Sequence, residues 1–247
     1  MSPPPPAALP VFPPAFPPCL AHPRRATGRI LVLGFAASFL LSGCERAVER
    51  YCALRLAPAH YNVTVDELTP RTQQRYSASE LDHLDEHPSN ETTLGLTSAK
   101  SRSEAHITLH AVGAPGGGVC VRPDVSLALG YAGLRVDLAR ELRPNTCTYN
   151  QVLAHEMRHV GVYRSFLGEA RTTLEAALEE RLPRSRVYRF SSMTEAGAYF
   201  EKLQDEWLSP ASLEVLDGVA ARQAEVDTPE EYQRLSGACP SDELKLR

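Results

Sequence analysis

Apolar residues fall on every second position over two neighbouring stretches. In residues 105–112, Ala105, Ile107, Leu109 and Ala111 point one way, and His106, Thr108 and His110 the other. In residues 119–129 the set is Val119, Val121, Val125, Leu127 and Leu129, and it resumes after Gly130-Tyr-Ala-Gly133 as Leu134, Val136, Leu138 and Leu142. A period of two is the mark of a half-buried strand. With GYAG as the turn, the second stretch predicts an antiparallel hairpin, and Pro123 asks for an edge or a bulge. Shorter strands are expected at 61–65 and 94–97. Further on the period changes: Leu153, Val160, Leu167 and Leu174 recur every seven residues. This predicts one long helix from about Tyr149 to Leu182, opened by a Thr148-x-x-Gln151 capping box and closed by Pro183. Gly161 and Gly168 share a stripe and could permit a bend or close packing. Ser192-x-x-Glu195, Ser209-Pro210 and Thr228-Pro229 each open a further helix. A short, highly charged helix is expected at 79–87, stopped by Pro88.

The long helix carries His155-Glu156-x-x-His159 in its first turns. Positions i and i+4 share a helix face, with Cβ atoms about 5–6 Å apart, so both imidazoles can reach one Zn²⁺. Glu156 lies about 100° round the helix, free to act on a water as general base rather than as a ligand. A second pattern, His83-x-x-Glu86-His87, is the inverted motif, but its helix is short and charged and reads as a solvated face. The turn at 113–118, GAPGGG, lacks the G-K-[ST] of a phosphate loop, which disfavours nucleotide binding.

The N-terminus changes the picture of where this chain works. Arg24, Arg25 and Arg29 precede an apolar run at 30–41, followed by Leu41-Ser-Gly-Cys44. Basic, apolar, then small residues make a secretory signal, and the run is short for a bilayer span of about 20 residues. The Pro-rich leader at 1–23 is set aside from the fold. The expected division is a leader and signal over 1–43, a lipidated tether over 44–60, and one domain over 61–247. Removing the three leader arginines takes the net charge from −4 to −7. An acidic domain lacks the electrostatic footprint of a nucleic-acid binder.

Six cysteines are present. Cys19 leaves with the leader and Cys44 stands at the processing site. Cys52, Cys120, Cys147 and Cys239 remain, an even number for an oxidising compartment. In the expected hairpin Cys120 lies opposite about position 143, close to Cys147. That favours Cys120–Cys147, leaving Cys52–Cys239 to clip the termini.

Two resemblances follow from these motifs. LSGC resembles the lipobox of bacterial lipoproteins. It implies acylation of Cys44 and a lipid anchor in the cell envelope, with export to the outer membrane, facing the periplasm. The apolar-flanked HExxH helix after a sheet resembles zincin metallopeptidases, and the chain is similar to uncharacterised bacterial proteins of the zinc-dependent protease type. Arg158 departs from the usual uncharged residue between the histidines. The resemblance implies an α+β zincin-like domain: a small antiparallel sheet packed on the HExxH helix, followed by a helical C-terminal part. It also implies Zn²⁺ on His155 and His159, Glu156 as base, and a peptide or protein substrate that adds to an edge strand. The third ligand stays open. The metzincin extension is absent, with Val162 and Ser165 at its positions. Glu195, Glu179 (at a thermolysin-like spacing, if the helix breaks near Gly168), His106 and His110 are the candidates. Tyr163, at i+4 from His159, either touches the site or sits in the core. The competing expectation is a non-catalytic envelope lipoprotein whose motif holds a structural metal or none.

Overall fold

The computed structural model describes residues 36–84 and 92–239. Its spine is β4 (Val119–Leu138), twenty residues long. β3 (Gly95–Gly113) pairs antiparallel with it along its whole length, through the tight turn at 114–118. Along the other edge of β4 three short strands lie end to end. β5 (Tyr188–Phe190) is antiparallel opposite Val119–Val121, β1 (Tyr61–Val65) is parallel opposite Val125–Leu129, and β2 (Arg71–Gln73) is parallel opposite Arg135–Asp137.

The expected antiparallel sheet is therefore corrected to a mixed five-stranded one. The chain reverses at β3 and again at the 114–118 turn, and β4 lies between β3 and the first two strands, so β4 runs the same way as both. The expected hairpin across GYAG is also absent, since residues 119–138 form one strand. The alternation breaks there for a different reason. Ser98 pairs with Arg135 and Lys100 with Ala132, so Gly133 and Leu134 together face Ala99. Gly133 has φ 66°, a left-handed conformation that glycine adopts without steric cost. This is a β-bulge, and it shifts the side-chain parity by one. Val121, Val125, Leu127, Leu129 and Tyr131 face the core before it, and Leu134, Val136 and Leu138 after it. Likewise 94–97 and 105–112 are parts of one strand, β3.

The disulfide pairing is corrected as a consequence. The bonds are Cys52–Cys120 and Cys147–Cys239. With β4 unbroken, 18 residues of strand separate Cys120 from Leu138, a path of roughly 60 Å at about 3.3 Å per residue. Cys120 instead meets α1 (Ala36–Arg55): Val48 and Cys52 of the helix, and Leu56 just after it, pack around it. Residues 1–35, most of the expected leader and signal over 1–43, lie outside the described residues, as do Glu86 and His87 of the inverted motif, whose His83 sits on α2 (Ala78–Leu84).

Across the sheet lies α3 (Cys147–Arg181), 35 residues, which carries the HExxH segment. Its cap is Thr146, whose Oγ1 accepts the Tyr149 amide, rather than Thr148. Val160, Leu167, Leu174 and Leu178 are buried against the sheet. Truncating one such leucine to alanine costs about 2–5 kcal/mol. Gly161 and Gly168 have open space where a Cβ would go, and α3 continues through both, so neither serves close packing. Tyr163 is a core residue, packed edge-on to Tyr131 at 4.6 Å.

The C-terminal part is helical: α4 (Met193–Leu203), a π-helical turn (Gln204–Leu208), α5 (Ser209–Asp217), α6 (Val219–Ala224) and α7 (Pro229–Ser236). The widened turn accommodates Pro210, which has no N–H to give; Ser209 N bonds Gln204 O instead. The Cys147–Cys239 bond ties the end of this part back to the start of α3.

Candidate metal centre

On α3 the i, i+4 spacing brings His155 and His159 together, with their Nε2 atoms 3.3 Å apart. The third member comes from the connection between α6 and α7. Asp227 Oδ1 lies 3.0 Å from His155 Nε2 and 3.1 Å from His159 Nε2. These three side chains could hold a metal ion. The triangle supplies its own test of fit. In a tetrahedral zinc site with bonds of about 2.0–2.1 Å, neighbouring donors sit about 3.3–3.4 Å apart. The observed edges of 3.0–3.3 Å are close to that, and three donors leave a fourth position open.

Hydrogen bonds orient both rings. His159 Nδ1 is 2.7 Å from Gln223 Oε1, and Gln223 Nε2 donates to the His159 carbonyl at 3.2 Å. The Nδ1–H is thereby fixed, and the Nε2 lone pair faces the cluster. His155 Nδ1 has two neighbours: Glu231 Oε1 at 3.4 Å and Arg158 Nη2 at 2.7 Å. The carboxylate suits the tautomer that frees Nε2 for a metal; the guanidinium suits the opposite one. Arg158 also pairs with Glu231, as does Arg234 at 2.7 Å. So the unusual charge between the histidines locks α7 over the site. Hydrogen bonds from Arg234 hold the Glu231 carboxyl down at about 2, against burial and with help from Arg158. Tyr232 Oη donates to Asp227 Oδ1 at 3.2 Å.

Burial opposes a charge on His159, yet the hydrogen bond to Asp227 and the nearby Glu156 carboxylate outweigh it and raise its pKa. Burial likewise works to raise Asp227, but hydrogen bonds from both histidines pull it well below the usual carboxylate range. Glu156 goes the other way: burial pushes it up, against the opposing pull of His159, Thr97 and His155. Thr97 Oγ1 lies 2.7 Å from Glu156 Oε2 and 3.2 Å from its carbonyl oxygen. A Cβ on Gly95 would come within 2.5 Å of Glu156 Oε1, so the start of β3 is shaped to seat this carboxylate. A carboxyl raised toward neutrality is a stronger base when ionised. The rings of His155 and His159 are largely covered; Asp227, its side chain 35 % exposed, is the open side of the cluster.

The other candidate ligands lie elsewhere. Glu195 accepts from Ser191 N and Oγ beside the start of α4. Glu179 pairs with Arg184 at 2.7 Å, because α3 never breaks at Gly168. His110 pairs with Asp124 at 2.8 Å, and His106 is exposed on β3. Asp227 stands 68 residues after His159 with no spacing rule to announce it. The nearest signal is the Thr228-Pro229 helix start immediately after it. A search of protein-family models, one of characterised proteins and one of solved structures each found no match for this chain.

Proposed function

We propose that this protein is a zinc-dependent peptide hydrolase, held in the bacterial cell envelope by a lipid on Cys44. The observation that carries the reading is the cluster of two histidines and one aspartate beside a buried carboxyl of raised pKa. Two imidazoles, one carboxylate and an open fourth position suit zinc in a catalytic rather than a structural role. Bound zinc supplies a Lewis acid and brings the pKa of water toward about 7. The chain's own residues do the rest. Glu156 takes a proton from the attacking water and returns it to the leaving amine, while Thr97 and Gly95 hold its carboxylate in one orientation. Gln223 and Glu231 orient the two imidazoles. The Cys147–Cys239 bond and the Arg158–Glu231–Arg234 pairs keep Asp227 in place.

The test is Glu156→Gln. It should retain stoichiometric zinc and lose hydrolysis of an unfolded protein such as casein; retained hydrolysis defeats the mechanism. One observation favours a second reading. The histidine rings are nearly covered by the clamped α7, as in a structural site. Under that reading chelation lowers the melting temperature, and no peptide is cleaved even by the zinc-loaded protein. Membrane attachment has its own check: Cys44→Ala should release the protein from the membrane fraction.

A further inference from the structure

β1 and β2 keep one register against β4. Tyr61 pairs with Val125 and Arg71 with Arg135, an offset of 64 residues in each case. They are one strand interrupted at 66–70, opposite residues 130–134, the stretch of β4 that contains the bulge at Gly133 and Leu134. Where the chain arches away from the sheet edge it leaves a cavity of about 730 Å³. Arg164, on α3, fixes the arch by donating to Leu68 O at 2.8 Å.

The lining of this cavity reverses the sign of the molecule. The chain carries a net charge of −4, yet Arg71, Arg75, Arg102 and Arg135 line the cavity against only Asp66 and Glu67. Two of the four guanidinium groups are committed to the fold. Arg102 pairs with Asp66 at 2.6 Å, and Arg135 with the buried Asp137 at 2.9 Å. Arg71 and Arg75 have no carboxylate within ion-pair distance among the described residues; Arg75 lies over the Tyr76 ring at 5.5 Å. Arg71 and Arg75 are exposed, so their charge faces the cavity's solvent without a carboxylate partner among the described residues. Leu68, Tyr131 and Leu134 also border the cavity but are themselves nearly buried, so the surface it presents is mostly polar.

We propose that this cavity is a binding site for an oxyanion, a phosphate or carboxylate held by Arg71 and Arg75. Guanidinium groups offer paired N–H donors that match either oxyanion. The site is separate from the histidine cluster, since no residue lining the cavity belongs to that cluster. It stands whether or not the metal reading does.

The experiment is calorimetric titration of the purified protein with inorganic pyrophosphate and, separately, citrate, at low and high salt. The comparison is Arg71→Gln/Arg75→Gln, whose substitutions are on exposed side chains and should leave the melting temperature and zinc content unchanged. Binding by pyrophosphate assigns a phosphate source, and binding by citrate a carboxylate one. In either case the double variant should weaken it at least about ten-fold, from the loss of two charge-assisted contacts. High salt should weaken it as well. Failure of both anions to bind at millimolar concentration, or equal binding by wild type and double variant, overturns the proposal.

Discussion

Replacing Gly95 by alanine perturbs the proposed base without touching a metal ligand. The added Cβ would lie 2.5 Å from Glu156 Oε1 and 2.8 Å from its Cγ and Cδ. The carboxylate has to retreat by about 0.9 Å to reach ordinary contact near 3.4 Å. Its Oε2 is held by Thr97 at 2.7 Å, so the same movement stretches a hydrogen bond to a charged group, worth about 1.5–3 kcal/mol. A displacement of about 1 Å in a catalytic group can cost roughly 100-fold in rate. The three atoms nearest the added Cβ all belong to Glu156 and none to His155, His159 or Asp227, so zinc content should stay at the wild-type value. The assay pairs metal analysis with hydrolysis of fluorescently labelled casein. The expected result is a roughly 100-fold loss of activity, full zinc occupancy and a small fall in melting temperature. Unchanged activity would refute the claim that β3 seats the base, and loss of zinc would show that the two parts of the site are not separable as described.

Other consequences can be checked independently. Asp227→Ala should abolish tight zinc binding while the sheet and α3 remain folded by circular dichroism, and zinc affinity equal to wild type would remove Asp227 from the cluster. Gln223→Ala frees the His159 ring and should weaken zinc affinity about 10–100-fold, measured by chelator competition. Cys147→Ser with Cys239→Ser opens a long loop, worth about 4–5 kcal/mol in the chain-entropy model, and should lower both thermal stability and zinc affinity, because the loop contains Asp227. Glu231 has a depressed folded pKa, so its contribution is present above the ordinary value near 4.3 and is lost as pH falls through about 2. Hydrogen exchange in α7 should therefore stay slow at pH 4 and quicken toward pH 2, and Glu231→Gln should erase that step.

Local signals in the sequence located the helices well. α3 ends one residue before the expected Leu182, and Thr228 caps α7 as its Thr-Pro pair suggests. The histidine pair was legible because both members lie on one helix, where spacing is geometry. The sheet was less legible. A hairpin turn and a bulge both interrupt a period-two pattern with glycines, and only pairing with β3 tells them apart at Gly133. That single ambiguity carried over into the disulfides, since the place of Cys120 depends on whether β4 folds back or runs on. Asp227, Gln223 and Glu231 were invisible for another reason. They reach the site from 64 or more residues away, through the packing of α6 and α7, and no local pattern records such contacts.

In the proposed hydrolase, His155, His159 and Asp227 share one ion. X-ray absorption at the zinc edge on the zinc-loaded protein measures this directly. It should show one zinc per chain with two imidazole nitrogens and oxygen neighbours at about 2.0–2.1 Å, no sulfur, and the loss of one nitrogen in His159→Ala. Sub-stoichiometric zinc, a sulfur shell near 2.3 Å, or a spectrum unchanged by that substitution would contradict it.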